Sequence, residues 1–166
     1  RSADGTEISD GGLATIAELP RLRFLTLSNT SVTSQGIKEL IKSKRLLMLS
    51  IGDTLTDDSA IPFLMQVKSL HFLFVRNSRI SGAALFALKN KSPHIDIDGA
   101  VADYSRKLNT HDSEMARVTW QIILENLQSR NDDRELKLLI LADPAVTDRH
   151  LATLESLNYL ETLDLR

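Results

Sequence analysis

The residues whose types and spacing come nearest to chemistry are His94-Ile95-Asp96-Ile97-Asp98. A strand turns successive side chains to opposite faces. His94, Asp96 and Asp98 would therefore share a face, an imidazole and two carboxylates that could hold a divalent cation or exchange a proton. A flat strand does not converge three side chains on one point, as a metal site requires. The expectation is a polar outer face on a closing strand, with Ile95 and Ile97 turned to the core, and no metal. His71, His111 and His150 stand alone in the sequence and read as surface or loop residues. Asp57, Asp58, Asp132 and Asp133 fall at a helix start and a turn, where carboxylates cap amides. There is no glycine-rich phosphate loop, HExxH, CxxC or GxSxG. Zero cysteines exclude a thiol nucleophile, a thiolate zinc site and disulfides. No catalytic residue, metal or cofactor is assigned, and the chain is not expected to be an enzyme.

With no chemistry to anchor the reading, the elements themselves must carry it. The 166 residues suffice for one domain with a real core. Twenty Lys and Arg against 22 Asp and Glu leave a net charge of -2, so the balance implies no nucleic-acid partner. No apolar run approaches the roughly 18–20 residues of a membrane span, so no membrane partner is expected, and the compartment stays open. Leucine is the outlier at 28 residues, while aromatics are only 5%, which directs attention to internal repeats.

The repeat emerges by subtraction. Leu22, Leu46 and Leu70 are 24 apart, as are Leu25, Leu49 and Leu73, then Leu27, Ile51 and Val75, then Ile37, Ile61 and Leu85, then Leu40, Leu64 and Leu88. Ile8, Leu13 and Ile16 extend the columns backwards, and Leu136, Leu139 and Leu141 recur 24 later as Leu160, Leu163 and Leu165. Alternation at Leu25 and Leu27 makes a short strand, and Ile37, Leu40 and Ile41 form one stripe of a short helix. One such unit cannot bury both apolar faces alone. Neighbours must stack into an α/β solenoid, with a parallel sheet on one side and helices on the other.

The segments LRFLTLSNTSVTSQGIKEL, LLMLSIGDTLTDDSAIPFL, LHFLFVRNSRISGAALFAL and LKLLILADPAVTDRHLATL resemble leucine-rich repeats, in the 24-residue, bacterial-type form with Thr or Ser at the turn. The resemblance covers residues 6–98 and 136–166. It implies a curved solenoid, similar to ribonuclease inhibitor, whose concave sheet binds proteins or other ligands without shared catalytic residues. Two turns depart from the pattern. Pro144 replaces the turn Thr, and Asp53-Thr54-Leu55-Thr56 reads as shifting the small apolar residue by one.

The organisation expected is leucine-rich repeats over 1–98, a linker over 99–111, an amphipathic capping helix over 112–130 and further repeats over 131–166. Ala116, Trp120, Ile123, Leu124 and Leu127 form the stripe of that helix, which suits the covering of a solenoid end. The sequence ends on a strand, LETLDLR, and begins with a turn and helix, DGTEISDGGLATIAEL. Joined, these halves make one repeat of 28 residues, which points to one solenoid in permuted order. The alternatives are a fragment cut at both ends, or halves that meet between chains as a head-to-tail assembly.

Function is expected on the outward face of the sheet. Phe24, Met48, Phe72, Phe74, Arg76, Leu138 and Ile140 are the candidate partner-binding residues, with Leu138, Phe24, Met48 and Phe72 read as an apolar column across the strands. Large apolar residues and Arg are common interface anchors. The function expected is a non-catalytic protein-interaction scaffold. The other readings are an assembly module that self-associates through its half-repeats and an accessory domain of a larger enzyme.

Overall fold

The computed structural model describes residues 6–97, 138–140 and 146–165. The expected linker and capping helix, like Pro144 and Asp98, lie outside them. Strands β1 (Phe24–Thr26), β2 (Met48–Ser50), β3 (Phe72–Phe74), β4 (Asp96–Ile97), β5 (Leu138–Ile140) and β6 (Thr162–Asp164) form a mixed α/β structure with one all-parallel sheet. Its order is β4-β3-β2-β1-β6-β5. Helices α1 (Asp10–Ala17), α2 (Ser34–Ile37), α3 (Ile61–Leu64), α4 (Gly82–Lys91) and α5 (Asp148–Leu151) connect or precede the strands, and 3₁₀ turns extend α2 and α5 and lead into α3.

Register reproduces the sequence period. Phe24 lies opposite Met48, Met48 opposite Phe72 and Phe72 opposite Asp96. Leu25, Leu49, Leu73 and Leu163 point inward, all fully buried, above the helix residues Leu13, Ile37, Leu40 and Leu64. The strand latest in the sequence, β6, lies between β1 and β5. Early and late segments also interlock at the turns. Thr6 Oγ1 donates to Leu165 O at 2.6 Å, and Glu7 bridges Thr147. Helix α1 packs between α5 and α2, so the halves separated in sequence meet within the chain.

Two devices set the spacing between units. The first is the turn after β1, β2 and β3, where Asn29, Asp53 and Asn77 adopt φ of 62°, 54° and 58°. Asn and Asp tolerate this left-handed region better than most residues. Thr30 and Thr54 then donate their hydroxyls back to Leu27 O and Ile51 O. The second is a polar ladder along the helix starts. Asp148 accepts from the N–H and hydroxyl of Ser9, Asp10 from those of Thr33, and Asp58 from those of Ser81. Between Ser34 and Asp57 the chemistry is exchanged, and the serine donates its hydroxyl to the carboxylate while accepting the Asp57 N–H. Each rung joins residues that are neighbours only because the units stack.

The Asp53–Thr56 turn corrects the expectation of a shifted apolar residue. Thr56 stands 24 residues after Val32 and fills the same fully buried position, its hydroxyl 2.9 Å from that of Thr54. Leu55 instead points outward and is 43% exposed. Threonine has nearly the shape of valine, and here its hydroxyl is hydrogen-bonded, so the register survives a polar substitution.

Candidate functional site

The outward face of the sheet is built by the residues that alternate with the buried leucines. Phe24, Met48 and Phe72 sit on adjacent strands in direct register, at about the 4.8 Å strand separation. These three are contiguous. Leu138 is not continuous with them, because β6 intervenes and places Thr162 between Leu138 and Phe24. Ile140 is likewise in register with Asp164, which pairs on its other side with Thr26.

Exposure along the column is uneven. Phe24 and Phe72 are half-buried, while Met48, flanked by both, is 6% exposed. Phe74, in register with Ser50, is 9% exposed, and Arg76 stands in solvent. The face therefore offers two partly accessible phenylalanines and an arginine around a packed floor. Ser28 and Ser50 share a hydroxyl hydrogen bond of 2.8 Å on the same face.

Of the histidine–aspartate group, His94 and Asp96 fall within the described residues and Asp98 does not. His94 precedes β4 and is exposed, its ring edge-on to His71 at 5.5 Å and 66°. Asp96 is half-buried within β4, next to Phe72, while Ile95 is buried and Ile97 packs against the core. Among the described residues no three His, Asp or Glu side chains cluster as metal ligands, and no helix is long and apolar enough to cross a membrane. His150 serves locally, its Nδ1 accepting the Thr147 N–H at 3.0 Å at the start of α5.

A second feature borders the apolar column. At the starts of the strands lies an open groove of about 430 Å³, lined by Arg21, Arg23, Arg45, Leu47, Ser69, His71 and Glu161. Its construction repeats from strand to strand. Glu161 O accepts the N–H groups of Arg23 and Phe24, Arg23 O those of Leu47 and Met48, and Leu47 O those of His71 and Phe72, all at 2.8–3.0 Å. One row thus holds Glu161, Arg23, Leu47 and His71, and another, two residues earlier, holds Tyr159, Arg21, Arg45 and Ser69. The Arg21 guanidinium lies 4.4 Å from the Tyr159 ring centroid and that of Arg23 lies 5.3 Å from Phe24. Such a contact orients a guanidinium over the ring while leaving its donors, which lie in the guanidinium plane, open to another acceptor.

These arginines were not among the residues singled out from the sequence. The available signal was Arg21 and Arg45 at the same 24-residue offset as the leucines, immediately ahead of the strands. Two carboxylates elsewhere are committed to local contacts. Hydrogen bonds from Ser59 and Ser34 hold the Asp57 carboxyl below the ordinary aspartate range. The ion pair with Glu39, 2.7 Å away, raises Lys42 above its own. No family model matches the chain, and no curated protein is significantly similar to it.

Proposed function

We propose that the chain is a leucine-rich-repeat solenoid in permuted order and acts as a non-catalytic scaffold that binds a protein partner on the outward face of its sheet. The observation that carries this reading is the in-register Phe24–Met48–Phe72 column on a sheet whose opposite face is sealed by buried leucines. Among the described residues the helices occupy that sealed side, and the outward face is the one left open to a ligand. Parallel strands repeating at 24 residues, polar rungs between successive units and a left-handed turn residue after each of β1, β2 and β3 support the repeat architecture. The meeting of Thr6 and Glu7 with Leu165 and Thr147 supports closure within one chain over joining between chains. Half-buried Phe24 and Phe72 suit anchor residues, which gain most when a partner completes their desolvation.

The test is affinity capture with the full chain, comparing the wild type with Phe24→Ser/Phe72→Ser at matched circular dichroism and melting temperature. A set of proteins lost from the variant supports the reading. An identical captured set, with the variant folded, refutes it.

A further inference from the structure

The groove at the strand starts departs from the charge of the whole molecule. The chain is net -2, yet three guanidiniums against one carboxylate give the groove a formal charge of +2, counting histidines as neutral. Arg21, Arg23 and Arg45 form no ion pair among the described residues, and all three are exposed. Glu161 at the β6 side has an interaction of its own. Guanidiniums grouped at the starts of neighbouring strands repel one another, an arrangement that an incoming anion relieves.

We infer that this groove binds an acidic segment of a protein partner whose apolar side chains rest on the Phe24–Phe72 column. The inference rests on the proposed binding role of the outward face and names the chemistry of its partner. Arg21 and Arg45 occupy equivalent places just ahead of the adjacent strands β1 and β2, which pair at about 4.8 Å. An extended peptide repeats its same-face side chains about every 6.6–6.8 Å, and the long arginine stems take up the difference. Arg23, stacked beside Phe24, joins the basic row to the apolar one. Alternating acidic and apolar side chains would meet both.

Length decides against a nucleic acid. Glu161 at the β6 side and Ser69 and His71 at the β3 side bound the basic stretch. Three strand spacings separate β6 from β3, about 14 Å, or roughly four extended residues. A polynucleotide needs a longer basic track to gain from successive phosphates.

The experiment measures fluorescence anisotropy of a fluorescein-labelled peptide of alternating Glu and Leu with the full chain, beside its Gln-for-Glu counterpart. Arg21→Gln/Arg45→Gln is compared with Lys38→Gln/Lys91→Gln, two exposed lysines on the helix side. Expected are binding of the Glu peptide alone, weakening on the order of tenfold in the arginine variant, little change in the lysine variant, and loss as salt screens the contacts. The inference is overturned by no binding of the Glu peptide, equal binding of the Gln peptide, or equal weakening in the two variants. Competition by a single-stranded oligonucleotide at lower concentration than the unlabelled Glu peptide also overturns it, in favour of a nucleic acid. The two readings separate in their failures. Capture abolished by Phe24→Ser/Phe72→Ser with no acidic-peptide binding removes only this inference, whereas peptide binding through the arginines with unchanged capture removes the sheet-face reading and, with it, the apolar half of this inference.

Discussion

Asp10→Ala tests how adjoining units are held in register. The Asp10 carboxylate accepts the Thr33 N–H at 2.7 Å and the Thr33 hydroxyl, joining the start of α1 to the start of α2. Hydrogen bonds to a charged acceptor are worth about 1.5–3 kcal/mol each. Both residues are half-buried, so water replaces part of each bond when the carboxylate is removed. The expected loss for the pair is about 2–3 kcal/mol. For a chain of this size each kcal/mol corresponds to about 2–4 °C in melting temperature, which gives a fall of roughly 4–12 °C. Urea denaturation of the wild type, Asp10→Ala, Thr33→Val and the double variant supplies a cycle. Thr33→Val also removes the hydroxyl that caps Gln35 N, and the cycle separates that loss from the rung itself. A coupling of about 1 kcal/mol or more is expected. A cost for Asp10→Ala no larger than that of the exposed Glu18→Ala, or additivity within about 0.3 kcal/mol, would refute the idea that the rungs hold the stack.

Leu73→Ala should cost about 2–5 kcal/mol in urea melts because Leu73 is fully buried, while Phe72→Ser on the opposite face should cost less; the reverse ranking would mean a strand register off by one. Gly36→Ala should destabilise, since an added Cβ would lie 2.8 Å from Leu13 Cδ1 and 3.0 Å from Asp10 Cα. Gly82→Ala, in an open helical position, should be neutral or stabilise by about 0.4–1 kcal/mol, and calorimetry of both variants checks the contrast. Because the folded-state pKa of Asp57 is depressed, its contribution is present above the unfolded value near 4 and fades as pH falls through the lower folded value. Asp57→Asn should therefore reduce the pH dependence of stability below about pH 4, and acid titrations superimposing on the wild type would contradict this.

The amino-acid order alone determined the period, the strands and the inward face. Leu25, Leu49 and Leu73 recur at a fixed spacing of 24 on the face opposite Phe24, Met48 and Phe72, and alternation and spacing are local properties of a chain. The buried position of Thr56 is not legible from composition, which marks threonine as polar, whereas the packed core selects for shape and supplies a partner for the hydroxyl. Burial of Met48 and Phe74 was equally hidden, since it depends on what stands on the adjoining strands. The same holds for the break in the column at Thr162, which follows from β6 entering between β5 and β1.

Tertiary structure also decided the groove and the polar ladder. Tyr159, Glu161, Arg21 and Arg23 come together although the sequence separates them by nearly its whole length, and Ser9 finds its carboxylate 139 residues away at Asp148. A repeat written along the chain specifies what each unit buries, because hydrophobic burial is encoded residue by residue. Which charges become neighbours is settled only when the units stack, because Coulomb forces and hydrogen bonds depend on distance in space and not on order in the chain.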